Sequence, residues 1–600
     1  MKKILIVIFL FGITMQTVAQ QWKAADVKIK TSWGEQLNPS NVLPEYPRPQ
    51  LVRDEWKNLN GLWDYSIQPR FNGMTETFTH KILVPFAIES SLSGVGRIVG
   101  KENLLWYRTK FDIPEKWEGK RIILHFGAVD WEADVYVNKK KVGSHRGGYD
   151  SFSFDITDQL IKSGEQEIQI SVWDPSDDGF QPRGKQVKKT GGIWYTSVTG
   201  IWQTVWLEPV NQSYIRATKQ TPDIDKNQLN LDADVTGWVG GDKIIAVAYD
   251  GIKEVARKEF NSPKNLFLKI DEQKLWTPDN PFLYDLKISL MRDGKVIDEV
   301  KSYFAMRKIS LSKDENGIQR MMLNNKFLFQ FGTLDQGWWP EGLYTAPSDE
   351  ALAFDIVKLK ELGFNLIRKH VKVEPARYYY HCDRLGILVW QDMPSGDMDL
   401  QYGDNGEQLR NAQSEYQYET ELKAIIDEHY NFPSIIVWVP FNEGWGQSNT
   451  IKICNWITHY DSSRLVDGPS GWTDLPAAGN MQDRHDYPGP SMPIDKKDNR
   501  ALVLGEFGGL GLPIEGHTWK DKDNWGYRSY KNIDELQKAF IALIEKIPAL
   551  ISKGLSAAVY TQTTDVEVEV NGVMTYDRKI IKLENEKIKT EIKKLYDVVK

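Results

Sequence analysis

The pattern that most constrains the fold lies after about Ser310, where short, nearly all-apolar segments alternate with segments of helical periodicity. Strands that are apolar on both faces are buried between helices, which is typical of a parallel sheet built from βα units. Eight such strand segments can be identified, at 326–332, 364–369, 386–392, 434–442, 464–468, 483–487, 501–506 and 556–562. Eight parallel strands in the last part of the chain predict a (β/α)₈ barrel.

The first predicted barrel helix carries its own start and stop signals. Ser348 is placed to accept hydrogen bonds from first-turn amides, and the acidic pair Asp349 and Glu350 follows it at the positive end of the helix dipole. Apolar residues then recur on one face until Gly363, which is expected to end the helix.

Two all-β stretches precede this region. From about Trp56 to Pro209, short runs of alternating polarity are separated by Gly, Asp and Asn, which predicts an antiparallel sandwich. A second stretch, 211–307, has Asp-Gly turns at 250 and 293, and its length suits an immunoglobulin-like sandwich.

The N-terminus has the pattern of a cleavable secretory signal. Lys2 and Lys3 precede an apolar run over 4–14, and Thr17-Val18-Ala19 offers a small-residue cleavage site. The apolar run is too short to span a bilayer. No Cys follows the expected cut, so a lipid anchor is not indicated. We therefore expect a periplasmic or secreted protein without a membrane span.

Composition and cysteine usage exclude several other classes of function. The 75 basic and 82 acidic residues give a net charge of -7 without an extended run of either sign, so a nucleic-acid partner is not expected. Cys382 and Cys454 fit neither a metal site nor a disulfide framework, and we expect two buried thiols. Aromatic residues are abundant, with 22 Trp, and flat rings suit the faces of sugars, although many of these rings are expected to be core.

Two glutamates follow predicted barrel strands at the end where a barrel places its active site. Glu443 follows the fourth strand segment in Asn442-Glu443-Gly444, and Glu506 ends the seventh, before Phe507-Gly508-Gly509. Cleavage of a glycosidic bond needs a proton donor for the leaving oxygen and a carboxylate at the anomeric carbon. If the carboxyls lie about 5 Å apart, the reaction retains configuration through a covalent intermediate. We expect Glu506 to be ionised as nucleophile and Glu443 to be protonated first, as acid, and to act later as base.

Longer motifs make a family resemblance specific. The N-terminal region contains WKNLNGLWDYSI, ILVPFAIESSLSG, ADVYVNKKKVGSHRGGYDSFSFDIT and GIWYTSVTGIWQTVWLEP, and the barrel region contains Asn442-Glu443 and Glu506. The chain resembles glycoside hydrolase family 2 from about Tyr46 to Asp565. The resemblance implies a signal peptide at 1–19 ahead of a jelly-roll sugar-binding-type domain (20–210), an immunoglobulin-like β-sandwich (211–310) and a catalytic (β/α)₈ barrel (311–600). It also implies chemistry without a cofactor or a catalytic metal.

The resemblance implies roles for individual residues. Asn442-Glu443 matches the acid/base dipeptide and Glu506 the nucleophile, with Asn442 holding the sugar 2-hydroxyl. Arg368 matches the arginine that steadies the nucleophile, whereas His370 lies two residues after it rather than the usual three. The other sugar-binding residues that the resemblance implies are Asp392, His485 and Tyr487, with Tyr487 donating to Glu506. Trp445 and Trp519 are expected to bind sugar because they lie in loops after barrel strands, where a ring can stack on a sugar face. Further stacking walls are sought among Trp338, Trp339, Trp472 and Trp525. At the eighth strand, Tyr560-Thr561-Gln562 stands where many relatives place Trp.

One loop of the sandwich leaves alternatives open. Asp174–Asp178 has the acidic residues to hold a cation, and the neighbouring Arg183-Gly-Lys185-Gln186 has the length to reach into the site. We expect instead a solvated loop.

The sugar specificity also stays open at this point. The expected activity is that of a retaining exo-β-glycosidase acting on non-reducing ends, most similar to β-galactosidase. β-Mannosidase and α-L-arabinopyranosidase are alternatives. β-Glucuronidase would bring an Asn-x-Lys pair for the substrate carboxylate, and none occurs in the 70 residues that follow Glu506. A different class is a carbohydrate-binding protein on an inactive barrel, which would not need both carboxylates. Oligomeric state is not predicted.

Overall fold

The computed structural model describes residues 22–396, 401–494 and 498–598. The predicted signal sequence lies outside the described residues. Within the described part of the chain, no helix is both long and apolar enough to cross a membrane.

The N-terminal region forms the predicted antiparallel sandwich. One sheet contains, in spatial order, Lys57–Asn58, Val205–Val210, Arg121–Phe126 and Phe152–Asp155. The other contains His80–Val84, Gly61–Pro69, Asn103–Phe111, Gln166–Trp173, Glu132–Val137 and Lys140–Arg146. Inward residues alternate with outward ones, as in Glu132–Val137, where Ala133, Val135 and Val137 are buried in the core between the sheets.

Short elements complete this region. The two-residue strands are Val129–Asp130 with Gly200–Ile201, and Gln186–Val187 with Tyr195–Thr196. The 3-10 turns are Glu115–Trp117, Thr157–Gln159 and Ser176–Asp178.

The second β region is also a sandwich. Its two sheets are Tyr214–Asp223, Gln228–Thr236 and Leu266–Lys269, packed on Lys253–Phe260, Lys243–Asp250, Tyr284–Arg292 and Lys295–Phe304. The core between them is apolar, and the predicted turn at Asp293 adopts a positive φ of 51°.

The last region contains the eight predicted barrel strands. They are β1 (Gln330–Asp335), β2 (Leu366–Lys369), β3 (Leu388–Asp392), β4 (Ile435–Val439), β5 (Leu465–Val466), β6 (Met481–Asp486), β7 (Ala501–Gly508) and β8 (Leu555–Thr561). All are parallel, in the order β5-β4-β3-β2-β1-β8-β7-β6. The barrel is nearly closed, because Asn480, just before β6, bonds β5 through its amide N–H to Val466 O and its side chain to Val466 N.

Helices cover most of the barrel. In chain order they are α1 (Ser32–Glu35), α2 (Asp349–Leu362), α3 (Ala376–Leu385), α4 (Ala412–His429), α5 (Thr450–Tyr460), α6 (Ile533–Ile544), α7 (Ile547–Ile551) and α8 (Glu586–Leu595). The predicted start and end of α2 are confirmed. Ser348 caps the helix by accepting a hydrogen bond from Ala351 N, and Gly363 ends it with a φ of 98°. In the described residues no helix follows β5 or β6, so regular alternation of strand and helix fails there.

The first strand segment differs from prediction. Lys326–Phe327 folds back antiparallel on Gln319–Leu323, which also pairs with Ile309–Lys313, and the barrel strand starts only at Gln330. The turn at Asn324 and Asn325, both with positive φ, causes this separation because it forms a tight hairpin. A further short pair joins Leu510–Gly511 to Arg528–Ser529.

Both cysteines are free and buried, as predicted.

Candidate active site

The carboxyl ends of β4 and β7 bring the two glutamates together. One carboxylate oxygen of Glu443, one of Glu506 and one ring nitrogen of His485 all lie within 4.8 Å of one another. The carboxylate of Glu443 is partly exposed, and that of Glu506 is buried. The spacing falls in the range of retaining glycosidases rather than the wider range of inverting ones.

Backbone geometry aims Glu443 into the barrel mouth. Its φ is 54°, in the left-handed region that non-glycine residues rarely adopt, and Gly444 follows at 71°. The amide of Glu443 donates to Ser470 O at 2.8 Å, which ties this turn to the loop after β5. Strained backbone of this kind persists where surrounding contacts hold it, commonly at functional sites.

Donors from two strands hold Glu506. The Tyr487 hydroxyl donates to Oε2 at 2.5 Å, and Arg368 Nη1 lies 3.3 Å from Oε1. Burial, aided by the charge of Glu506, raises the pKa of Tyr487 well above its usual value, so the phenol keeps the proton it donates. Tyr487 also bonds Thr561 Oγ1 at the end of β8. These are the partners that the family resemblance implied for Glu506.

Arg368 is the hub of the charged network. Its guanidinium makes two 3.0 Å bonds to Asp392 and one of 2.8 Å to Asn442 Oδ1. Burial alone would lower the pKa of Arg368, but Asp392 and Glu506 raise it, so the cation is retained. Burial raises the pKa of Asp392 to about 6, with Arg368 acting in the opposite direction.

His485 is paired with the expected acid. Its Nδ1 lies 2.9 Å from Glu443 Oε1, and its Nε2 lies 2.9 Å from Ser470 Oγ. Burial would lower its pKa, but the charge of Glu506, the nearby carboxylate of Asp483 and the hydrogen bond with Glu443 raise the pKa of His485 to about 10.

Glu443 was expected to be protonated before substrate binds, but its contact with His485 favours the ionised carboxylate. Burial favours the neutral acid, but the hydrogen bond and charge of His485 outweigh burial and leave the pKa of Glu443 below its usual value. The site without substrate therefore holds its proton on His485, next to an ionised Glu443. Sequence motifs give no signal for this pairing because His485 and Glu443 lie on different strands.

The spacing departure at His370 does not remove that residue from the site. His370 Nδ1 lies 3.1 Å from Gln336 Oε1, and Nε2 lies 3.5 Å from Glu506 Oε1. Burial, followed by the charges of Lys185 and Arg368, holds the pKa of His370 well below its usual value. His370 is thus a neutral imidazole beside Glu506.

The six tryptophans proposed as sugar walls divide into different environments. Trp338 and Trp339 are buried in the core and are excluded as stacking walls. Trp445 meets Trp194 edge-on at 4.8 Å, and Trp519 packs edge-on against Tyr576 at 5.8 Å. Trp472 is 59% exposed in the loop after β5. Trp525 donates to Gly192 O in the sandwich and contacts Tyr527.

Polar residues and a tyrosine pair replace Trp at the end of β8. The Tyr560 ring is buried against Phe507 and Phe540. Gln562 instead faces Gln336 and Asn571, at 2.9 Å from each. The exposed Tyr527 stacks on Tyr487 with ring centroids 3.7 Å apart. Motif reasoning missed Tyr527 and Gln336.

The expectation of a solvated loop at 174–186 is wrong. Asp174 and Lys185 are buried, at 3% and 8% exposure. Ser395 O, after β3, accepts from the amides of Arg183 and Gly184. Asp174 bonds Ser176 and Thr199. Within the described residues, the His, Cys, Asp and Glu ligand atoms that cluster closely enough for a metal are those of Glu443, His485 and Glu506, where a proton on His485 disfavours ligation.

Known proteins of similar sequence carry two activities in their names. A putative beta-glucuronidase of Formosa agariphila is 30% identical over 465 residues, covering 70% of this chain and 53% of that protein. A beta-galactosidase of Thermoanaerobacter pseudethanolicus is 28% identical over 385 residues, covering 60% and 48%. The chain thus spans about half the length of these relatives.

Solved structures share the fold. The beta-glucuronidase of Ruminococcus gnavus superposes with a TM-score of 0.74 at 18% identity, covering 92% of this chain and 100% of that one. A beta-galacturonidase of Eisenbergiella tayi, bound to galacturonate, gives 0.70 at 19% identity, with 92% and 99% covered.

Three family profiles match consecutive parts of the chain. They are the sugar binding domain of glycosyl hydrolases family 2 (95–207), the family 2 domain that follows it (213–307) and the TIM barrel domain of family 2 (321–479). Glu443 lies within the last match, whereas His485, Tyr487 and Glu506 lie beyond it. Sandwich, second β domain and barrel thus match in the family's order, and the chain belongs to glycosyl hydrolases family 2.

Proposed function

We propose that the protein is a retaining exo-β-glycosidase that removes non-reducing terminal sugars from oligosaccharides or polysaccharides. The observation that carries this proposal is the approach of the Glu443 and Glu506 carboxylates to within 4.8 Å at the mouth of the barrel. That spacing leaves no room for a water between nucleophile and sugar, and it suits direct attack by a carboxylate.

Each residue of the site has a role in the proposed double displacement. Glu506, held by Arg368 and Tyr487, attacks the anomeric carbon and forms a glycosyl ester while Glu443 protonates the leaving oxygen. Glu443 then takes a proton from water, and this water releases the sugar with its original configuration. Asn442, fixed by Arg368 Nη2, presents its side chain to the 2-hydroxyl. His370 and Asp392 complete the wall beside Glu506.

The His485–Glu443 pair supplies the proton. When a sugar displaces water from the site, the charged form of Glu443 is further desolvated, which favours transfer of the proton from His485 along their 2.9 Å hydrogen bond. After Glu443 has given the proton to the leaving group, it is an ionised base again, as the second step requires.

The favoured specificity is that of a β-galactosidase-like enzyme. β-Glucuronidase activity is supported by the names of relatives, and β-mannosidase and α-L-arabinopyranosidase activities remain alternatives in the same family. A non-catalytic carbohydrate-binding protein is the alternative class. The hydrogen bonds from Arg368 and Tyr487 to Glu506 argue against a non-catalytic protein, because sugar binding alone does not require an oriented nucleophile.

A panel of nitrophenyl glycosides tests the proposed function. The panel comprises β-galactoside, β-glucuronide, β-mannoside, β-glucoside and α-L-arabinopyranoside. We expect hydrolysis of at least one, with the anomeric configuration of the first product retained by NMR. Hydrolysis of none, or an inverted first product, would contradict the proposal.

We expect His485 to set the alkaline limb of kcat/KM. The limb should fall as pH rises through about 10, where the proton of the His485–Glu443 pair is lost, and His485→Gln should move it to lower pH. The pKa of His485 is higher in the folded state than in the unfolded chain, so its protonation stabilises the fold. This contribution to the free energy of unfolding is complete below about pH 6.5 and disappears as the pH rises through about 10.

Both parts of this prediction are measurable. The pH profile of kcat/KM is recorded with a poorly activated glycoside, and the free energy of unfolding with denaturant across the same range. An alkaline limb that stays in place in the His485→Gln variant would remove His485 from the proton path.

For location, we propose export to the periplasm or medium with cleavage near Ala19, which rests on the sequence pattern at 1–19. N-terminal mass spectrometry of the protein from its native host should find the mature chain beginning near residue 20. An intact N-terminus on the mature protein would refute export by this route.

A further inference from the structure

A lysine from the sandwich lies at the mouth of the barrel. Lys185 follows Gly184, where an added Cβ would lie 2.5 Å from Val371 O, so only glycine allows the loop to approach the barrel this closely. Lys185 O accepts from Tyr195 N, which fixes the backbone beside a second sandwich residue. The ammonium then lies 5.6 Å from the centroid of the Tyr195 ring.

The ammonium faces the reacting groups without a paired anion. Its charge lowers the pKa of both Glu443 and His370, which places it on the catalytic side of the barrel mouth. Among the residues that the structure describes, no carboxylate lies within 4.0 Å of Lys185 Nζ, although the residue is only 8% exposed. The ammonium therefore has N–H groups left to donate to a ligand oxygen in the barrel mouth.

An acceptor stands on the other side of the same tyrosine. Glu569, in the loop after β8, accepts a short hydrogen bond from the Tyr195 hydroxyl and one of 3.0 Å from Asn571 Nδ2. Each carboxylate oxygen keeps a second lone pair for a ligand donor. Tyr195 therefore contacts both Lys185 and Glu569. Toward a bound ligand, Lys185 is a hydrogen-bond donor and Glu569 is an acceptor.

The charge of the whole site decides which ligand suits this pair. Carboxylates outnumber cations around it: Glu443, Glu506, Glu569, Asp392 and Asp483 stand against Lys185, Arg368 and His485. A sugar that brings a further carboxylate would meet like charge at Glu569, and like charges at close range are costly in a desolvated site. Hydroxyl groups, in contrast, can accept from Lys185 and donate to Glu569 at once.

We propose that Lys185 and Glu569 form the specificity-determining pair of the sugar site and select a neutral pyranose over the corresponding uronic acid. Lys185 donates to a hydroxyl oxygen of the sugar, and Glu569 accepts from a hydroxyl on the same edge of the ring. This inference rests on the proposed function only in taking the barrel mouth as the sugar site.

Binding of matched sugars tests the pair without requiring catalysis. Calorimetric titrations use galactose with galacturonate, glucose with glucuronate and mannose with mannuronate, which within each pair differ only at C6. We expect at least one neutral sugar to bind about 10-fold or more tightly than its uronate. Lys185→Met should lower the affinity for that sugar by about 10-fold, which is the size of effect expected when one hydrogen bond to a charged group is lost. Glu569→Gln should lower the affinity for the neutral sugar and reduce the ratio of its affinity to that of the uronate.

A matched control is available in the same loop. Lys189 is exposed, and Lys189→Met removes one positive charge without touching the site, so its sugar affinity should equal that of the wild type. Circular dichroism and thermal unfolding establish that each variant is folded. If Lys185→Met does not fold, Lys185→Gln keeps a donor of similar length and should retain part of the affinity.

The outcomes separate this inference from the proposed function. Tighter binding of a uronate, unchanged affinity in Lys185→Met, or binding of none of the six sugars overturns the inference. A preference for the neutral sugar that depends on Lys185 supports the Lys185–Glu569 pair. If no nitrophenyl glycoside is hydrolysed in the same protein, the glycosidase proposal is contradicted while the pair still stands. Hydrolysis of a uronide in preference to its neutral counterpart supports the glycosidase and overturns the pair.

Discussion

Replacing Glu506 with Ala should reduce turnover by more than about 10³-fold, because no neighbouring group can supply the covalent route that its carboxylate provides. Tyr487 and Arg368 would still face the site, but neither is a nucleophile for an anomeric carbon. The measurement is kcat on the best nitrophenyl glycoside of the panel. Glu515→Ala, an exposed glutamate in the loop after β7, is the matched control and should leave kcat unchanged.

Two chemical readouts identify Glu506 beyond the loss of rate. A 2-fluoro glycoside of the preferred sugar should label this residue, as shown by peptide mass spectrometry. External azide should rescue Glu506→Ala and yield a glycosyl azide of inverted configuration, since azide occupies the face that the carboxylate vacates. Labelling of Asp392, or an inverted product from the wild type, would end both the assignment and the two-step mechanism.

Replacing Glu443 with Gln should slow the enzyme in a way that depends on the leaving group. For a glycoside with a poor leaving group we expect a loss of about 10²–10⁴-fold, the usual contribution of general acid–base catalysis. A dinitrophenyl glycoside needs little protonation, so its first step should lose much less, and the glycosyl-enzyme should then accumulate because the second step lacks a base.

The comparison of leaving groups is its own control, since both substrates use the same variant. Rates of the two steps are separated by a pre-steady-state burst of dinitrophenol. Equal losses for activated and unactivated glycosides would contradict the acid/base role of Glu443. Loss of sugar affinity in proportion to rate would assign Glu443 to binding instead.

The sequence by itself determined the barrel and the position of its two carboxylates. The strands that carry the two glutamates begin as short apolar runs, and Glu443 and Glu506 both follow such a run closely. Parallel strands place all their carboxyl ends on one face, so local pattern alone brings both residues to the same mouth. Arg368, Asp392 and Tyr487 were assigned through the family resemblance, and each also lies at or just beyond the end of a strand.

Only the tertiary structure decided how these groups are charged and what surrounds them. His485 and Glu443 are 42 residues apart, and their pairing across 2.9 Å depends on the register of β6 against the loop after β4. Trp338 and Trp339 follow β1 as a stacking wall would, yet both are buried in the core. Lys185 comes from another domain, and its loop reads as solvated until the sandwich docks on the barrel. Side-chain periodicity records only which face of an element is buried, whereas contacts between domains and the protonation they impose depend on distances that no local pattern encodes.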